Sequence, residues 1–134
     1  MIPDIKTTQP FYHHLGKLFY AVAFSDKKIA PEEFLKLQEY IEKFWVQYDS
    51  LTDIFESDAA HLIEVVFEGA QFFKESPDDM FQSFISYKRK HENLFNSQVR
   101  LLILETARAI AHSYAQINKS ELIMLSTLEI EFNK

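Results

Sequence analysis

Three carboxylates crowd the stretch "SDKKIAPEEF" (residues 25–34), where Asp26, Glu32 and Glu33 offer the hard oxygen donors a divalent cation takes. Calcium wants about six to eight oxygens, and Lys27 and Lys28 stand where further oxygens and a turn residue belong. This set therefore predicts a weak cation site at best. A second set is His61, Glu64 and Glu68, at i, i+3 and i+7 on one helical face, with Glu105 and His112 seven apart elsewhere. Carboxylate-bridged di-iron bundles use such residues but need two Glu-x-x-His motifs facing inward, and here the order is His-x-x-Glu and occurs once. His13 and His14 are adjacent and cannot share a helix face. The run "YKRKHE" (87–92) has the charge for a nucleic-acid or acidic-lipid contact, but it reads more simply as a solvated helix end whose cations favour the negative terminus. Nucleophilic chemistry has little to stand on. The chain has no Cys, no nucleophile elbow and no Gly-rich phosphate loop, and Ser113 beside His112 is adjacency without geometry.

Helices must carry these groups. The chain has 134 residues, enough for a single domain (1–134) with a real core and no need of disulfide or metal staples. Hydrophobic content is 47%, and 13 Phe, 6 Tyr and one Trp make that core aromatic. Two Gly and four Pro are too few for a many-turned β protein. The absence of Cys fits a cytoplasmic setting. The start "MIPDIKTTQP" lacks the basic-then-apolar layout of a signal peptide, and no run reaches the ~18 apolar residues of a membrane span, so no membrane insertion is expected. A net charge of −6 argues against general nucleic-acid binding.

Periodicity places the helices. Phe11, Leu15, Leu18 and Val22 mark the face of a first helix ending near Ser25. Phe34, Leu37, Ile41, Phe44 and Tyr48 mark a second, opened by Pro31. A short piece over Leu51 to Phe55 follows, then a helix capped by Asp58 with Leu62, Val66, Gly69 and Phe73 on its face. In "ESPDDMF" Ser76 caps, Pro77 takes the first turn, and Asp78 and Asp79 favour the positive end; Phe81, Phe84, Ile85 and Phe95 are the expected core there. Ser97 opens a helix with Val99, Ile103, Ile110 and Tyr114, and a last one carries Leu122, Leu125 and Leu128. The expectation is an all-α bundle of about six or seven helices.

An internal echo links its two ends. "AFSDKKIAPEEFLKL" (23–37) lies over "AHSYAQINKSELIML" (111–125), pairing Ala23 with Ala111, Ser25 with Ser113, Ile29 with Ile117, Glu33 with Glu121 and Leu37 with Leu125, every pair 88 positions apart. Two helix–loop–helix units then flank a helical middle in pseudo-two-fold fashion. Asn118 and Glu121 have capping-box spacing, as do Ala30 and Glu33, and Ile29 and Ile117 sit where hydrophobic staples pin a loop to the core. Asp26 is left over, and the natural reading is an Asx turn toward Ile29.

The same residues resemble the TerB-like family, the tellurite-resistance domains related to the N-terminal region of DnaJ-like membrane co-chaperones. Its pattern is an Ala-rich helix, Ala-Asp-Gly, an aliphatic residue, then Glu opening the next helix, used twice. Here the copies read Ser25-Asp26-Lys27 with Ile29 and Glu33, and Ser113-Tyr114-Ala115 with Ile117 and Glu121, so both glycines and one aspartate are missing. The resemblance covers about half of the chain, its two ends. It implies a non-catalytic module that binds a partner protein in a stress-associated setting. The alternatives are a weak divalent-cation module using Asp26, Glu32 and Glu33, and a metalloenzyme using His61, Glu64 and Glu105.

Overall fold

Proline and small polar caps divide the chain, and the helices fall between them. The computed structural model describes residues 5–47, 59–113 and 117–134. Among these lie six α-helices and no strand: α1 (Ile5–Ala23), α2 (Pro31–Tyr40), α3 (Leu62–Phe73), α4 (Pro77–Lys90), α5 (Ser97–His112) and α6 (Lys119–Phe132). The all-α expectation is met. Tyr48, the 51–55 piece, the Asp58 cap and Tyr114 lie outside the described residues.

Local chemistry sets the starts. Ser76 Oγ accepts the Asp79 N–H at 3.3 Å ahead of α4, Asn96 Oδ1 accepts the Val99 N–H at 2.9 Å ahead of α5, and Asn118 Oδ1 accepts the Glu121 N–H at 2.8 Å ahead of α6. Asn96 thus caps α5 one residue before the Ser97 start. Pro31 opens α2 at a position where a missing N–H costs nothing.

α1 is the hub, packing against α3, α4, α5 and α6. Its predicted stripe is buried, but from Leu18 to Ala23 the burial runs all round the helix. Gly16 makes the closest approach possible: a Cβ there would lie 2.7 Å from Val66 Cβ and 2.8 Å from the Ile63 carbonyl oxygen of α3. Phe81, Phe84, Ile85, Phe95, Val99, Ile103 and Ile110 are buried as expected.

Three faces differ from expectation. From α2 into the turn that follows it, the buried apolar residues are Leu37, Ile41 and Trp45, while Phe44 is exposed. A π-turn over Ile41–Trp45 widens the helix and brings Trp45 inward, where its indole N–H donates to Thr106 Oγ1 at 3.1 Å. In α3 the core face is Ile63, Phe67 and Ala70, and Phe73 stands in solvent beyond it. The helix carries apolar residues on more than one face, and Ile63, Phe67 and Ala70 are the ones that turn inward. In α6, Leu125 and Leu128 are buried with Met124 and Phe132, whereas Leu122 is exposed.

Candidate functional site

Each end of the bundle brings a helix–loop–helix, and the two loops meet. Glu33 Oε1 accepts the Ala30 N–H at 2.7 Å, and Glu121 Oε1 accepts the Asn118 N–H at 3.1 Å. Both capping carboxylates are buried, and Ile29 and Ile117 are half-buried against the same core. The likeness extends to the preceding turns, where Ser25 Oγ donates to the Val22 carbonyl at 3.0 Å and Ser113 Oγ to the Ile110 carbonyl at 2.7 Å. Ala23, Ala111, Leu37 and Leu125 are all buried.

Asp26 joins the two. Its Oδ1 accepts the Lys28 N–H at 3.1 Å, the expected Asx turn, and its Oδ2 accepts from Asn118 Nδ2 at 2.8 Å. Asn118 therefore caps α6 with one side-chain atom and ties the opposite loop with the other. This cross-link spans 92 positions, and no local pattern announces it. Burial pushes the Glu33 carboxyl up to about 7, opposed by the Ala30 N–H and aided by the charges of Glu121, Asp26 and Glu32. Burial raises Glu121 as well, opposed by the Asn118 N–H and aided by Asp26. The junction is an electrostatic unit of carboxylates already engaged in hydrogen bonds. Glu32 is exposed, and no three His, Asp or Glu side chains gather as a metal-ligand set among the described residues.

The other sequence-level sites are dispersed. His61 Nε2 lies 3.6 Å from Glu42 Oε1, and Glu64 Oε1 accepts from Gln38 Nε2. Glu68, Glu105 and His112 are exposed. Nothing gathers His61, Glu64 and Glu105 into one centre.

The "YKRKHE" run is not a solvated helix end. Lys88 is 1% exposed; its ammonium donates to the Glu131 carbonyl at 3.1 Å and to Glu131 Oε2 at 3.2 Å, and lies 3.0 Å from Glu92 Oε1. Arg89 grips the same carboxylate with Nε at 3.0 Å and Nη2 at 2.8 Å. Hydrogen bonds from Arg89 and Lys88 hold the Glu131 carboxyl down at about 2, against its burial. Arg100 completes the cluster, donating to the Phe95 and Phe132 carbonyls and to Glu92 Oε2. These cations hold the C-terminal turn of α6 against α4 and α5. The sequence reading missed it because Glu131 and Arg100 are remote in sequence.

The aromatic excess has an outlet at the end of α3. Phe72 is 80% and Phe73 71% exposed, packed edge-to-face on each other with centroids 5.1 Å apart. Val65, two turns earlier, is exposed on the Phe72 side. Beside them a groove of about 340 Å³ runs between the start of α2 and α3, lined by Ile29, Pro31, Phe34, Leu35, Glu68 and Gln71. No helix among the described residues is long and apolar enough to cross a membrane. No protein-family model, no curated protein and no solved structure matches the chain, so the TerB-like resemblance rests on its own residues.

Proposed function

We propose that the chain is a non-catalytic binding module that engages a partner protein through the Phe72–Phe73 end of α3 and the groove beside it. The exposed phenylalanine pair carries this reading. Two large aromatic rings left in water are costly to keep there, and each can contribute about 2–3 kcal/mol when a partner buries it. Aromatic residues in such positions are the usual anchors of protein interfaces, and the adjoining groove offers a place for an incoming apolar side chain. The dispersal of His61, Glu64, Glu105 and His112 supports the non-catalytic half of the proposal. The TerB-like resemblance adds a stress-associated setting.

The test is cross-linking and affinity capture from native lysate with the wild type and the Phe72→Ser/Phe73→Ser variant side by side. The variant should keep its helicity and melting temperature, because neither ring contributes to the core, and should lose the captured species. An unchanged capture profile would remove this face from the interface. Light scattering of the purified protein separates a second copy of the chain from a foreign partner.

A further inference from the structure

Along the seam between α1 and α4 the protein carries cationic and protonatable groups with no acid among them. No Asp or Glu occurs in α1, and α4 has none from Met80 to Lys90, in a chain of net charge −6. The helices run antiparallel here: Lys17 Nζ donates to Ser83 Oγ at 3.1 Å, and one turn on His14 stacks on Tyr87 with ring centroids 4.2 Å apart and planes 10° off parallel. Tyr87 also touches the His91 ring at 4.5 Å, and His13 lies 5.7 Å from His14. Tyr87 is buried, and its hydroxyl makes no hydrogen bond to any described residue.

Neither Lys17 nor Lys90 pairs with a carboxylate among the described residues. Glu92 is held by Lys88 and Arg100, and Glu131 by Lys88, Arg89 and Lys134, while Asp79, one turn before Ser83, is exposed at the start of α4. The negative end of α4 is offset by the three cations of its own last turn.

We propose that this seam binds a phosphate group, with Lys17, His14 and His91 supplying charge and Ser83 a hydroxyl donor. A phosphate dianion only accepts hydrogen bonds, so it needs convergent donors and no competing carboxylate. An ammonium bonded to a neutral hydroxyl can turn to a dianion without breaking an ion pair. Burial holds His14 below its usual range, helped by the positive charges of Lys17, His13 and His91 and opposed by its hydrogen bond to the Pro10 carbonyl. Those are the charged groups acting on it. The α3 side of α1 meets Gly16 through Ile63 and Val66, and Arg100 of α5 and Glu131 of α6 are bound into the α6 cluster. A bound dianion favours the protonated imidazole, and the protonated imidazole favours the dianion, so binding of an anion of fixed charge strengthens as pH falls.

The experiment follows the histidine ring and amide resonances of the full chain during titration with inorganic phosphate, phenyl phosphate and sulfate, at about pH 6 and about pH 7.5. Sulfate keeps its charge across that range and isolates the histidine contribution. Saturable shifts confined to residues 13–17 and 83–91, tighter for sulfate at the lower pH, are expected. Lys17→Met should weaken binding about tenfold, the loss of one charge-assisted contact. Tighter binding of phenyl phosphate than of inorganic phosphate would identify a phosphorylated molecule as the ligand, and equal binding free phosphate; either sustains the site. If Lys17→Met fails to fold, the exposed His91→Gln serves in its place with the same expected weakening. Linear, unsaturated shifts, no dependence of sulfate binding on pH, or undiminished binding by the folded variant would overturn the proposal.

Discussion

Lys27 has a backbone φ of 68° and Lys74 one of 52°, the left-handed region that glycine occupies without strain. The chain's two glycines are both spent inside helices, and neither has positive φ. At Lys27 the conformation is imposed by its neighbours: Asp26 reaches over it to the Lys28 N–H while its own N–H donates to the Phe24 carbonyl at 2.8 Å. A left-handed non-glycine residue costs about 1–2 kcal/mol, and glycine returns about 0.5–1 kcal/mol of that through its freer unfolded chain. Lys27→Gly should therefore stabilise the protein by roughly 0.5–1 kcal/mol in urea unfolding. A loss of stability would mean that the lysine side chain contributes more than its backbone costs.

At the scale of helices, the most constrained contact is α1 against α3 at Gly16. Alanine there gains about 1 kcal/mol of helix propensity but drives a methyl group into Val66 Cβ and the Ile63 carbonyl oxygen at under 3 Å. Overpacking of this kind costs ~1–3 kcal/mol or more when backbone has to move, so Gly16→Ala should lower the melting temperature by several degrees, read by circular dichroism. An unchanged melt would show that the two helices can separate freely. Gly16 also marks how far the sequence could be read. Capping is local, and Ser76, Pro31, Asn118 and Glu121 were legible because donor and acceptor lie within one turn. Leu37, Leu125 and Leu128 were legible as core, but the inward face of α3 and the exposure of Phe44 and Leu122 were not, since these helices carry apolar residues on more than one side and tertiary contact chooses among them. Glu33 and Glu121 could be placed in the site from spacing alone. The Asn118 bond to Asp26 and the Glu131 bond to Lys88 join residues far apart in sequence, and nothing in either residue's neighbourhood names the other.

For the whole molecule, the two carboxylate clusters respond to pH in opposite senses. Glu33 is raised from 4.5 to about 7 in the fold, so the folded state holds a proton the unfolded chain releases. Its contribution is fully present below about 4.5 and is lost as pH rises toward about 7. Glu131 is lowered from 4.5 to about 2, so its contribution is present above about 4.5 and is lost as pH falls toward about 2. His13 and His14, both held low chiefly by burial, oppose Glu33 because the unfolded chain takes up their protons first as the solution is acidified. The wild-type profile is therefore a superposition, and the difference between wild type and Glu33→Gln isolates one carboxylate. The amide keeps an oxygen for the Ala30 N–H and never ionises, so its advantage over glutamate should be negligible near pH 4 and grow through pH 7, measured by urea unfolding at each pH. Glu131→Gln should be destabilised at neutral pH, where Lys88 and Arg89 lose the carboxylate they share and buried Lys88 keeps only Glu92, and should converge on wild type in acid. A Glu33→Gln profile parallel to wild type from acid to neutral pH would mean that water reaches the loop junction and that Glu33 titrates there as an ordinary carboxylate.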